Sequence, residues 1–223
     1  MLLGDLNYFY ILFYPGGGTI GLILWCLSIV MVSLIVENFI VIRRVNILPD
    51  LVRQQVRDMF ANKQYREAIE FTAAEPSFFS YVVHAALSEA RYGYSAMEQA
   101  VDSASEERIT RLLRHTEWLN LLGNIGPMIG LLGTVWGLIL TFFRIVEAGG
   151  IPDPGKLAGA IGIKLVCTLL GLVVAIPSLA VYGTMRNRID GLSADAINAA
   201  QELISTFRPA RKGSAPAAEA PTA

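Results

Sequence analysis

The chain has 223 residues, 53% of them hydrophobic, a mean hydropathy of +0.48 and a net charge of −1. That composition belongs to membrane proteins, and the near-zero charge gives no case for nucleic acid. Its two cysteines, Cys26 and Cys167, both sit inside apolar runs, which argues for packing and against a disulfide framework.

The N-terminal stretch "MLLGDLNYFYILFY" has no basic n-region and no small-residue cleavage site, so it is not read as a removable signal peptide. Residues 1–18, with Tyr8, Phe9, Tyr10, Phe13 and Tyr14, are expected to lie on the outer interface ahead of a turn at "PGGG". A first transmembrane helix is expected over 19–42, with Glu37 near its inner end. Residues 43–117 read as a cytoplasmic helical region. In "PDLVRQQVRDMFANKQY" the apolar positions Leu51, Val52, Val56, Met59 and Phe60 form one helical face. "EPSFFSYVVHAALSEA" repeats that pattern after a break at Pro76. "SAMEQAVDSASEERITRLLRHTEWLN" has no breaker, so one helix is expected to run on into the second span, 118–144. A loop over 145–156 leads to the third span, 157–185, whose one charge is Lys164. Another helix is expected over 186–207, followed by a low-complexity, disordered tail over 208–223.

Orientation follows from the basic residues. Arg43, Arg44, Arg53 and Arg57 follow the first span; Arg108, Arg111 and Arg114 precede the second; Arg186 and Arg188 follow the third. The opposite side has only Lys156 in its loop, with Arg144 at the membrane edge. The N-terminus and the 145–156 loop are therefore placed outside, and the C-terminus in the cytoplasm.

The second span carries an unusual number of poor helix formers in "GPMIGLLGTVWGLILTFF". At 100° per residue, Gly123, Gly126, Gly130, Gly133 and Gly137 fall on one narrow stripe, the pattern that lets helix backbones approach closely in lipid. The Gly130, Gly133 and Gly137 part of it is expected to hold copies of the chain together. Beside it runs a second stripe spaced by sevens, Asn120, Pro127, Thr134 and Thr141, which is too polar for lipid and is assigned to protein or a cavity. The third span has a matching face of Lys164, Thr168, Gly171, Ala175, Ser178 and Tyr182, with Pro177 near the inner end. Two accounts of the threonines stand: hydroxyls bonded to carbonyls one turn back, or the lining of a shared lumen. For Lys164 the alternatives are snorkelling to the outer interface and pairing with a carboxylate in the pore.

"GPMIGLLGTVWGLI", "LVCTLLGLVVAIPSLAVYG" and "IVENFIVIRR" together resemble the three spans of the MotA/TolQ/ExbB proton-channel family, in its three-span TolQ/ExbB form. The resemblance covers about residues 19–190. It implies a pentamer of this chain around a central pore, with a single-span partner of the TolR/ExbD type inside it and protons as the coupling ion. Thr134 and Thr168 would be the pore threonines and Pro127 the second-span proline. Many relatives carry a glutamate five residues before the third-span threonine; here that position is Ile163, beside Lys164.

A proton relay at membrane depth needs a titratable group. No Asp, Glu or His lies between Leu119 and Phe143 or between Leu157 and Met185. The carboxylate is therefore expected from the partner, as a membrane-embedded Asp. Glu37 is assigned to a helix-end interaction, and His84 and His115 to surface or packing roles. There is no P-loop, no metal-ligand spacing and no catalytic triad pattern, so no enzyme activity, cofactor or metal is expected. Two function classes remain: a motor subunit that energises a periplasmic or outer-membrane process through its partner, and a non-conducting membrane scaffold with the same fold.

Overall fold

The structure, a computed structural model, describes residues 19–147, 149 and 153–208. The interfacial N-terminal segment, most of the tail and part of the 145–156 loop lie outside the described residues. Among the described residues all regular structure is helical: α1 Thr19–Val41, α2 Arg44–Ile47, α3 Asp50–Ala61, α4 Tyr65–Ala74, α5 Phe78–Ser88, a short 3-10 turn Ala90–Tyr92, α6 Tyr94–Glu147, α7 Pro154–Ile204 and a closing 3-10 turn Ser205–Phe207. Helices α1, α6 and α7 are long and apolar enough to cross a membrane. The chain is an all-α membrane protein with three transmembrane helices.

The short elements end where local chemistry stops them. At the end of α3 the Asn62 amide bonds to the Asp58 carbonyl. Lys63 then turns left-handed (φ 59°), which lets its amide and that of Gln64 reach back to the carbonyls of Phe60 and Met59. Helix α5 starts after Pro76 on Ser77, whose Oγ accepts from the Ser80 amide at 3.2 Å. Gly93, at φ 98°, supplies the turn between the 3-10 segment and α6, a conformation that disfavours a side chain.

Two long helices run straight through features that would stop a helix in water. Helix α6 contains Pro127 and α7 contains Pro177. Each proline removes the amide that would bond to the carbonyl one turn back, at Gly123 and Val173 respectively. No break separates the third span from the stretch 186–207 that the sequence suggested as another helix: α7 is a single helix of 51 residues. Gly183 and Gly191 lie in its interior with neither a cap nor a proline beside them, so nothing terminates it.

The chain divides into two compact units. The first holds the described residues up to Arg43 together with Ile109–Gly191, and so all three spanning segments. Its interior centres on Met31, Leu122 and Val174, with Leu27, Leu34 and Ile35 packed against them. Its outward faces are apolar, including Leu22, Ile29 and Val32 on α1 and Leu131, Val135 and Trp136 on α6, as a lipid or protein solvent requires.

The second unit holds Arg44–Arg108 and the chain from Leu192 onward. Phe79, Val82 and Val83 on α5, Met97 and Val101 on α6, and Ile204 on α7 are fully buried within it. On α3, Val52, Val56 and Phe60 are buried, whereas Leu51, grouped with them from the sequence, is 76% exposed. Leu51 sits about 100° from Val52 around the helix, at the edge of the stripe. The rings of Phe60, Tyr65 and Phe207 form a cluster with centroids 5.0–6.1 Å apart. Arg57 donates to Glu202 at 2.8 Å, and Arg53 lies 3.8 Å from the same carboxylate.

Candidate functional site: a threonine pair on a glycine seam

Within the first unit α6 and α7 are antiparallel, and glycine sets their separation. A methyl group added to Gly126 would lie 3.0 Å from the Gly171 carbonyl oxygen. Added to Gly130, it would lie 2.8 Å from the Cys167 carbonyl oxygen and 3.0 Å from the Thr168 Cα. Added to Gly171, it would lie 2.6 Å from the Gly126 carbonyl oxygen. These are backbone neighbours, which cannot move aside as a flexible side chain can. Gly133 faces Ile20 Cγ2 of α1 at 2.9 Å and Cys167 Cβ at 3.1 Å, and Gly123 faces the end of Leu179. The aliphatic stem of half-buried Lys164 lies across Gly137.

The glycine stripe is thus filled from within the chain. The sequence suggested that Gly130, Gly133 and Gly137 join copies; within the chain they receive α7 and α1 of the same molecule. The reason is proximity: the loop between α6 and α7 is short, so the third span is the first partner available to a glycine face on the second.

At the middle of this seam stand two hydroxyls. Thr134 is buried, and its Oγ1 donates to the Leu131 carbonyl of its own helix at 2.8 Å. Thr168, on the facing helix, lies with its Oγ1 3.4 Å from Thr134 Oγ1 and 3.4 Å from the Gly130 carbonyl oxygen. One hydroxyl proton cannot serve both acceptors fully, and both contacts are long for O–H···O bonds. Because Thr134 has committed its proton to Leu131, Thr168 is the donor across the pair. The lone pairs of Thr168 remain able to accept. The pair can orient water or receive a hydrogen bond from a protonated carboxyl, but it cannot store a proton.

The other polar residues of the two stripes do not join this site. Thr141 donates to the Gly137 carbonyl at 2.8 Å, two turns beyond Thr134. Asn120 lies about 21 Å along α6 from Thr134 at 1.5 Å per residue, where it bonds with Glu117 (3.3 Å) and Asn124. Ser178 is fully buried and donates to the Val174 carbonyl at 2.7 Å, about 15 Å along α7 from Thr168. A spacing of seven residues keeps side chains on one helix face but separates each from the next by about 10 Å. Pro127 and Pro177 stand one turn from Gly130 or beyond it, within α6 and α7, and are half-buried.

Two polar residues stand near the C-terminal end of the first span, of which Asn38 was not singled out from the sequence. Glu37 Oε1 lies 3.6 Å from His115 Nδ1, tying the end of α1 to α6. Its neighbour Asn38 is 1% exposed, donates to the Leu34 carbonyl at 2.8 Å and has no partner for its own Oδ1. An asparagine within an otherwise apolar span was the available signal. Among the described residues no group of His, Cys, Asp or Glu could hold a metal ion.

These features define a multi-pass α-helical membrane protein whose last two spans meet backbone to backbone around a hydroxyl pair. Residues 55–196 match the MotA/TolQ/ExbB proton channel family, and the chain belongs to that family. It is 27% identical over 162 residues to the biopolymer transport protein ExbB of Pseudomonas putida, covering 69% of this chain and 49% of that one. It is 35% identical over 111 residues to the putative biopolymer transport protein ExbB-like 2 of Helicobacter pylori, covering 48% of this chain and 71% of that one. A Tol-Pal system protein TolQ from Haemophilus influenzae is 28% identical over 118 residues, 53% of this chain and 51% of its own. The chain spans about half the length of the Pseudomonas and Haemophilus relatives it matches.

Proposed function

We propose that this chain is the channel-forming subunit of a Ton- or Tol-type complex of the bacterial inner membrane, using the proton motive force to energise a periplasmic or outer-membrane process. In this proposal five copies surround a pore, with the N-terminus periplasmic and the C-terminus cytoplasmic, and residues 43–117 and 186–207 facing the cytoplasm. A single-span partner stands in the pore and brings a carboxylate to the level of Thr134 and Thr168. Because the glycine seam is consumed inside each chain, the copies meet through other faces of the spans.

The observation that carries this proposal is the Thr168 hydroxyl, 3.4 Å from both Thr134 Oγ1 and the Gly130 carbonyl, with acceptor capacity to spare. A carboxylic acid arriving there can donate to Thr168, lose its proton to water, and leave as a carboxylate. Lys164, one turn from Thr168 on α7, is the residue proposed to meet the partner. The competing possibility, a scaffold that does not conduct, draws on the bond from Thr134 to its own Leu131 carbonyl, which a packing role also explains.

The test is proton flux into liposomes that hold this chain with its partner. Replacing both threonines by valine keeps their shape and removes donor and acceptor. Flux is expected to be lost while the oligomer keeps its size by native mass spectrometry. Wild-type flux in the double variant would refute the assignment of Thr134 and Thr168 to the proton path, and no flux in the unmodified complex would favour the scaffold. A chain that stays monomeric in its unmodified form would rule out the pore.

A further inference from the structure

In the second unit the first turns of α6 and the last turns of α7 each bury one apolar face that ends on a polar residue. Arg208, just past the closing 3-10 turn, brings its guanidinium carbon to 5.8 Å from the centroid of the Tyr94 ring, so the end of α7 lies beside the start of α6. Counting inward from that contact, one face of α6 presents Met97, Val101 and Ala104, and one face of α7 presents Ile204, Ala200 and Ala196; all six are buried. The spacing 97, 101, 104, 108 keeps a single α6 face, and 204, 200, 196, 193 keeps a single α7 face. The next rung therefore pairs Arg108 with Ser193. Ser193 is 1% exposed and its Oγ has no hydrogen-bond partner; the Nε of Arg108 is likewise buried and without one. Two orphaned polar atoms at the same level of two packed helices are costly unless something lies between them.

We propose that this rung is a binding site for a monatomic anion, chloride under cellular conditions, held by the Nε–H of Arg108 and the hydroxyl of Ser193. Both groups can donate, and the arginine adds a positive charge that favours an anion over a neutral acceptor. The guanidinium carbon lies over the Tyr81 ring, 3.9 Å from its centroid, which supplies a surface but no full counter-charge of its own. The neighbouring carboxylate, Glu107, accepts the Tyr81 hydroxyl at 2.9 Å. The rung next to the site is Ala104 and Ala196, so the remaining oxygens of a phosphate or sulfate would point at methyl groups unsatisfied. A single-atom anion has no such oxygens.

The experiment uses the full chain in detergent micelles, melted in sodium chloride, sodium bromide or sodium gluconate at equal sodium concentration. Chloride and bromide are expected to raise the melting temperature of the unmodified protein by about 3 °C over gluconate. That difference is expected to vanish in Ser193→Ala, which removes only one hydroxyl from a helix interior, and in Arg108→Gln. Chlorine-35 line broadening by the unmodified protein, reversed by added bromide and missing in Ser193→Ala, is the matching spectroscopic result. An equal halide effect in the unmodified protein and Ser193→Ala, or no halide effect at all, would overturn the proposal and leave a bound water as the occupant. Should Arg108→Gln fail to fold, the Ser193→Ala comparison alone decides.

Discussion

At Gly126, Gly130 and Gly171 the helices α6 and α7 are joined through glycine, with backbone meeting backbone; in the second unit the same two helices instead bury the side chains of Met97, Val101, Ala200 and Ile204. The outward faces reverse as well. In the first unit they carry Leu131, Leu132, Val135 and Trp136, and in the second Glu98, Asp102 and Glu106. Lipid gives apolar side chains no reason to leave it, so association there depends on close contact and dispersion, which glycine permits. Water expels apolar side chains, so association there depends on how much surface Met97 or Ile204 removes from it. One continuous helix therefore needs two packing chemistries, and the switch between them follows its solvent.

The largest effect expected from breaking this pattern lies in the second unit. Phe79 is fully buried, and Phe79→Ala removes a ring that the surrounding helices cannot replace. The expected loss is about 3–5 kcal/mol, seen as protease cleavage within residues 44–108 at urea concentrations where the unmodified chain is protected. Helicity from the spans should persist in the micelle; cooperative loss of both would show that the two packing chemistries are not separable.

A smaller and more pointed contrast sits in the first unit. Gly130→Leu forces a side chain against the Cys167 carbonyl and is expected to cost about 1–3 kcal/mol or more, read as a lower melting temperature in micelles. Gly162→Leu, on the same helix pair but with nothing within 4 Å of its added carbon, is expected to change the isolated chain little. If the two variants melt alike, close backbone contact is not what joins these helices.

The smallest effect belongs to the second unit's surface. Glu202 meets Arg57 at 2.8 Å and Arg53 at 3.8 Å, but all three side chains are substantially exposed. Glu202→Gln is expected to cost about 0–1 kcal/mol, and the difference should disappear at 1 M salt. A larger, salt-insensitive loss would move part of the second unit's stability from its apolar faces to its charges.

Much of this architecture is legible without coordinates, because it rests on local pattern. Three apolar runs of about 20 residues or more announce three spans, and the uninterrupted stretch before Leu119 announces a helix that continues into the membrane. Leu51 shows the limit of that approach within a single element: its neighbours Val52, Val56 and Phe60 are grouped correctly, but an edge position is buried only if a second element covers it, and none among the described residues does. The unbroken passage of α7 through Gly183 and Gly191 was missed for a related reason. A helix end needs a cap or a proline, and glycine by itself only lowers the propensity.

What the sequence determined by itself was which residues share a helix face: the glycines of α6 on one stripe, Thr134 on another, Thr168 and Lys164 on a third. Periodicity is a property of one helix, so it can be read from one segment at a time. Which face meets which, and at what height, was decided only by the tertiary structure. The antiparallel register puts Gly130 beneath Thr168 and so brings its hydroxyl to Thr134, while leaving Asn120 and Ser178 of those same faces far along the helices. The pairing proposed for Ser193 and Arg108 in the second unit rests on the same kind of register, counted from Arg208 beside Tyr94. Register depends on how two surfaces interlock over many turns, and no single segment contains that information.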